Sequence, residues 1–191
     1  MEYKLFDTPK YNNIEFYKDI EMTDHINQFN HSLRLYISIA YILWVAKFNN
    51  IKTIGDFGCG NGGLIEFLSH NLPNIKIYGY DLIPANVAEA QRRSLDVKLK
   101  DFICEKIDYP DLLILTEILE HLAEPRIFLQ KIPKGTFIMA TVPFGETLNS
   151  HWQHHLWIWD GDSFFKMIEE CGFKILQRGS IYTIQIVVAI K

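Results

Sequence analysis

Residues 52–64 read K-T-I-G-D-F-G-C-G-N-G-G-L. Thr53, Ile54 and Phe57 have the character of a short buried strand. The glycines that follow allow a sharp turn, and Leu64, Ile65, Phe67 and Leu68 then open an apolar helical pattern. The stretch therefore predicts a strand, a glycine turn and a helix. Glycine accepts positive φ and carries no Cβ, so a ligand can lie against this backbone, with the N–H groups of the helix start turned towards it. A nucleotide-like cofactor suits such a turn.

Gly58, Gly60 and Gly63 also satisfy G-x-G-x-x-G, the dinucleotide spacing, which by itself has little specificity. Asp56 distinguishes the two readings. A carboxylate at the mouth of the strand would repel a pyrophosphate, whereas it suits a ligand bearing an ammonium and a sulfonium. D-F-G-C-G-N-G-G resembles the first motif of the class I S-adenosylmethionine (SAM) dependent methyltransferases, and the likeness extends from about Lys52 to Lys191. That resemblance implies SAM as cofactor, with Asp56, Gly58, Cys59 and Gly60 at the turn. Cys59 reads as a small residue tolerated beside the ligand.

Outward from the turn, the chain alternates strand and helix. Ile75, Ile77 and Tyr78 begin a second strand ending at Asp81, and Pro84 suits the first turn of a helix that runs through Ala90 to Arg93. Val97 and Leu99 flank a third strand, Leu112–Leu115 are a fully apolar fourth, and Thr136–Val142 form a fifth stopped by Pro143. Arg126 to Gln130 read as a helical piece between the last two. Ser163 to Glu170 read as a helix capped by Asp162 or Ser163 and closed by Gly172. Two strands, about 173–178 and 183–190, follow with a break around Gly179 and Ser180. A connection that short cannot be a parallel crossover, which needs about a dozen residues, so this pair must be antiparallel. The expected fold is α/β: a Rossmann-like, seven-stranded, mostly parallel sheet with an antiparallel C-terminal hairpin strand and helices on both faces.

Before the turn, Ile26, Phe29, Leu33, Tyr36, Ile37, Ala40, Tyr41, Trp44 and Phe48 recur at helical spacing, which predicts one long amphipathic helix ending near Asn49. Tyr3, Phe6, Tyr11, Phe16 and Tyr17 form a lid over a substrate or pack on the domain edge. His25 and His31 have no sequence partner that argues for chemistry. Residues 1–50 are thus an N-terminal extension and flanking helix of the same domain, and residues 51–191 its core. At 191 residues and 48% hydrophobic, one well-packed domain is expected.

A net charge of −4 makes nucleic acid a poor default partner. Cys59, Cys104 and Cys171 lack paired spacing, which fits a reducing compartment. The N-terminus lacks the pattern of a signal peptide, and the apolar run from Leu35 to Ala46 is too short to span a bilayer, so a cytoplasmic protein with no membrane partner is expected. Oligomeric state is not legible.

Asp81 would lie in the crevice beside the turn, where open α/β sheets bind ligands, and its carboxylate can accept both hydroxyls of a ribose; an Asp capping the next helix is the structural alternative. The resemblance adds Leu82 packing on adenine and Asp101 with Phe102 as the adenine clamp. Thr116-Glu117-Ile118-Leu119-Glu120-His121-Leu122 resembles the E-x-x-E-H-L segment of methyltransferases related to the ubiquinone-pathway O-methyltransferases. It implies Thr116 and Glu117 along the methionine part of SAM and His121 facing the methyl. For Glu120, a helical turn whose Glu and His cap and solvate one another is an equal reading.

A hydroxyl acceptor must lose a proton, and His121 is the best-placed base because imidazole titrates near neutral pH. Residues 151–159 hold three histidines and three tryptophans. His151, His154 or His155 could join His121, with His155 and Glu117 counted with it as catalytic candidates. The expected activity is O-methylation of a small-molecule or sugar-like acceptor, without a metal.

Glu117, Glu120 and His121 with one later histidine also resemble the ligand set of the small-RNA 2′-O-methyltransferases, which makes a metal-dependent RNA 2′-O-methyltransferase the alternative. A SAM-binding partner subunit without activity is the second alternative.

Overall fold

The computed structural model describes residues 2–5 and 29–191, so the expectations placed on Phe6, Tyr11, Phe16, Tyr17, His25 and Ile26 fall outside the described residues. The strands are β1 (Glu2–Lys4), β2 (Thr53–Phe57), β3 (Lys76–Asp81), β4 (Val97–Leu99), β5 (Leu112–Thr116), β6 (Phe137–Pro143), β7 (Trp157–Trp159), β8 (Lys174–Ile181) and β9 (Ile184–Ile190). The helices are α1 (Phe29–Phe48), α2 (Gly63–Asn71), α3 (Pro84–Arg92), α4 (Pro125–Lys131) and α5 (Ser163–Glu170), with a 3-10 turn at Leu119–His121. A seven-stranded sheet has the order β4-β3-β2-β5-β6-β9-β8, and β1 and β7 form a separate ribbon. β2 runs parallel to β3 and β5, and β3 parallel to β4, whereas β9 is antiparallel to β6 and β8. The expected α/β sheet with an antiparallel C-terminal hairpin is the observed one.

Two compact units divide the chain, Ile14–Ile114 and Leu115–Lys191 with Met1–Asn13. In the first, Ile54 and Phe57 of β2 and Leu112, Leu113 and Ile114 of β5 have no exposure. Burying each such side chain stabilises by roughly 1.5–3 kcal/mol. The Phe57 ring lies 4.9 Å from Tyr80 and 5.2 Å from Phe102. Asp111 sets the start of both strands, because its Oδ2 accepts the N–H groups of Lys52 and Thr53 and the Thr53 hydroxyl.

The long helix forms, but its buried stripe is not the predicted one. Ser38, Ile39, Ile42 and Val45 face inward, while Tyr36 is 71% and Phe48 67% exposed, and Ala40 is exposed as well. From Leu33 to Ala46 this helix is apolar nearly all round, so periodicity could not choose a face.

In the second unit, β9 is buried from Ile184 to Ala189. The hairpin turn falls at Tyr182 and Thr183, since Ile181 pairs with Ile184, and Gly179 and Ser180 lie inside β8. Tyr182 takes the left-handed conformation at φ 56°. Gly-Ser looks like a turn, but pairing along the whole length of β9 carries β8 past it. Pro143 ends β6 yet remains in register with Ile184. At α5 the Asp162 side chain makes no capping bond; Ser163 Oγ donates instead to the Asp160 carbonyl at 2.8 Å.

Candidate functional site

Within the first unit, β2 and β3 end together, with Asp56 beside Gly79 and Phe57 beside Tyr80. The Tyr80 carbonyl accepts the N–H groups of Gly58 at 2.7 Å and Cys59 at 3.2 Å, and the Cys59 carbonyl accepts Gly62 N–H at 3.0 Å. Gly62 opens α2 at φ 81°, and a Cβ there would come within 2.8 Å of Leu95 Cδ1. Gly79 is required for a different reason, since a Cβ there would collide with Ile65 and come 2.7 Å from Cys59 Sγ. Only glycine permits the turn to pack so closely on β3.

Asp81, the last residue of β3, braces this turn. Its Oδ2 accepts Gly60 N–H at 2.8 Å, while Oδ1 accepts Ile83 N–H at 2.8 Å and the Asn86 amide at 3.4 Å. The structural role foreseen for Asp81 at the next helix is therefore present, together with a bond to the turn that the sequence did not suggest. Burial raises the Asp81 carboxyl above its ordinary range despite these bonds. The N–H groups of Gly58, Cys59, Gly60 and Gly62 all have protein acceptors, so at these positions the turn is not the open nest of donors that an anion would need.

Asp56 lies beneath, 2% exposed, and its Oδ1 has no hydrogen-bond partner among the described residues. Burial, and then the neighbouring Asp81, push its carboxyl up to about 7. An uncompensated buried carboxylate is costly. A cationic group arriving here would relieve that cost, as an ammonium does, whereas a phosphate would add to it. Burial, Asp56 and Asp81 also drive the Cys59 thiol upward, so it is no thiolate nucleophile.

The second unit gathers a different set. Glu117, at φ 54°, leaves β5 in a left-handed conformation uncommon for a residue with a Cβ. Its N–H donates to the Thr141 carbonyl at 3.0 Å, and its Oε1 accepts the Thr141 hydroxyl at 3.0 Å. Glu120 in the 3-10 turn is fully buried. His121 Nε2 lies 4.0 Å from Glu120 Oε1.

The loop after β6 returns to this turn, where Leu156 N–H donates to the Glu120 carbonyl at 2.7 Å and the Trp157 indole to the Leu122 carbonyl at 2.9 Å. It brings His155, whose ring centre is 5.0 Å from that of His121, and Trp152, 5.7 Å from His121. One ligand atom each from Glu120, His121 and His155 lies within 4.8 Å of the others.

His121 Nδ1 is 3.1 Å from the His154 carbonyl, which can only accept, so Nδ1 carries the proton and Nε2 the lone pair. Burial, and then His155, bring its pKa down to about 3. His121 is thus held neutral, and it is not the imidazole titrating near neutral pH that the sequence suggested. His151 bonds the Thr147 carbonyl instead and is not in the cluster.

Residues 56–134 match the family described as Methyltransferase domain. The segment from the glycine turn to the end of α4 is thus similar to a methyltransferase domain. No curated protein matches it. Among solved structures, magnesium protoporphyrin IX methyltransferase from Synechocystis PCC 6803 with bound SAM is 17% identical over 92% of this chain and 87% of its own, with a TM-score of 0.65. The methyltransferase in complex with the Haloferax volcanii Trm112 activator is 17% identical over 84% and 91%, with a TM-score of 0.67. The [4+2]-cyclase SpnF is 14% identical over 81% of each chain, also at 0.67. At these identities the likeness is one of fold, and SpnF marks how far a fold falls short of fixing a reaction.

The remaining candidates are placed as follows. Leu82 is half-buried behind Asp81. Asp101 Oδ1 accepts the N–H groups of Ile103 and Cys104, closing its own turn, and Phe102 is buried against Phe57. Thr116 ends β5 half-buried. Sequence reasoning passed over Glu146, whose carboxylate holds both Trp152 and His155, and Thr141, the partner of Glu117. No spacing rule marks either residue. The Phe-Gly pair before Glu146 signals a turn, and no more than that. Among the described residues no helix is long and apolar enough to cross a membrane.

Proposed function

We propose that the chain transfers the methyl group of SAM to an oxygen of a small-molecule or sugar-like acceptor. The observation that carries the cofactor's placement is Asp56, a buried carboxylate whose Oδ1 lacks a partner beside a turn whose N–H groups are occupied. In this reading Asp56 receives the cationic amino-acid end of SAM, and Gly58, Cys59 and Gly60 line its path. The Asp81 carboxylate accepts the ribose hydroxyls, and Leu82, Asp101 and Phe102 border the adenine. Thr116 and Glu117 serve the methionine part.

The bound SAM supplies an activated methyl on sulfur with a neutral thioether as leaving group. The chain has to align the acceptor and take its proton, and alignment alone is worth on the order of 7–11 kcal/mol. The proton acceptor is assigned to His155, because burial and then His155 bring the His121 pKa down to about 3 and leave it a weak base. The test is to incubate the protein with methyl-labelled SAM and a panel of hydroxyl, amine and carboxyl compounds, locating the label by mass spectrometry. Label on oxygen is expected; label confined to nitrogen or carbon rejects the reading.

One observation favours a second reading, in which a divalent ion activates the same hydroxyl. Glu120, His121 and His155 converge to within 4.8 Å, and His121 has the hydrogen bond on Nδ1 that puts its lone pair on Nε2. The ion would lower the pKa of a bound hydroxyl. Abolition of turnover by EDTA and its return with added metal are expected under this reading. The net charge of −4 gives an RNA acceptor no support.

A further inference from the structure

Glu146 stands outside every role assigned so far, yet its side chain is committed at both oxygens. Oε1 accepts the Trp152 N–H at 2.9 Å, and Oε2 lies 2.7 Å from His155 Nδ1. An ionised carboxylate can only accept, so His155 Nδ1 carries the proton and its lone pair is on Nε2. His155 is 8% and Glu146 19% exposed at the side chain, so water competes little for this bond.

His121 obeys the same rule with a backbone carbonyl in place of the carboxylate. Two imidazoles of one cluster thus have Nδ1 occupied by an outer acceptor, which is the arrangement that orients metal-ligating histidines. The donor set is then two imidazole nitrogens and one carboxylate, in a cluster walled on one side by the Trp152 ring, 5.1 Å from His155. Imidazole-rich sets of this kind suit first-row transition metals better than magnesium, and three protein ligands leave a position open to substrate.

We propose that Glu146 is a positioning residue, fixing His155 so that Glu120, His121 and His155 bind a first-row divalent transition metal with an open coordination position. The proposal rests on the metal-assisted reading above. Gly145, at φ 90°, makes the turn that delivers Glu146 to the loop it holds.

Cobalt(II) is the probe, added to EDTA-treated full-length protein and followed by its visible d–d bands, with zinc as competitor. Wild type should bind saturably with the spectrum of a nitrogen-oxygen site. Glu146→Leu, which removes both acceptors, should weaken cobalt about 10- to 100-fold, beside a lowered metal-free melting temperature from the two donors left unpaired. Glu146→Gln, which keeps an acceptor but not the charge, should fall between. A wild-type chain that takes up no cobalt overturns the metal reading and this inference with it. A wild type that binds, beside a Leu variant that binds equally well, overturns the role of Glu146 alone. Should the Leu variant not fold, the Gln variant decides, and cobalt affinity equal to wild type there rejects the proposal.

Discussion

At the glycine turn, residues adjacent in sequence build the site. Asp56, Gly58, Cys59 and Gly60 contribute, and Asp81, more distant in sequence, is brought to them by strand register. At the histidine loop, Glu120 and His121 meet Glu146 and His155, separated by the whole of α4 and β6. The first site is made mostly of backbone and tolerates few side chains; the second is made of side chains that fix one another's protons. In the proposed function the turn holds the cofactor and the loop handles the acceptor. Substitutions in each region should then separate binding from turnover.

The largest separation is expected from His155→Ala. With the acceptor found by the labelling screen, its turnover should fall about 10²- to 10⁴-fold, the range for a lost proton acceptor, while SAM affinity by calorimetry stays at the wild-type value. A loss of SAM binding equal to the loss of turnover would break the division. Asp81→Ala should do the reverse, weakening SAM about 10- to 100-fold, because hydrogen bonds to a charged carboxylate are each worth roughly 1.5–3 kcal/mol. Asp81→Asn, which keeps one acceptor, should lose less. SAM affinity unchanged in the Ala variant would remove Asp81 from the cofactor site.

The same contrast explains what could be read from the sequence. β2, the turn and α2 are dictated by neighbours within a few residues, and so are Pro84 at the start of α3 and the sheet's antiparallel end. Wherever distant packing or hydrogen bonding decides, local signals fail. The α1 stripe was misplaced because that helix is apolar on every side, and the hairpin turn was misplaced because register along β9 overrode a Gly-Ser pair. The depressed pKa of His121 comes from burial and then from His155, more than thirty positions away. Glu146 carries no motif at all; only its two hydrogen bonds single it out.

A smaller effect, about tenfold, tests why the turn prefers a cation. In the ligand-free protein Asp56 has its pKa raised from 3.8 to about 7 by burial and then by Asp81. Between those values the folded chain keeps a proton that the unfolded chain gives up. Stability of the ligand-free protein therefore falls as pH rises through this window and levels off above about 7. SAM binding runs the other way. Its ammonium favours the ionised carboxylate, so binding below about pH 7 must expel the proton, and affinity should rise with pH by up to about tenfold per unit before flattening. Asp56→Asn, which cannot ionise, should flatten both profiles and weaken SAM most at high pH. Calorimetry in buffers of different ionisation enthalpy would register the expelled proton directly. A SAM affinity independent of pH from about 5.5 to 7.5 would mean that Asp56 does not sense the cofactor's charge, and the turn's preference for a cation would need another source.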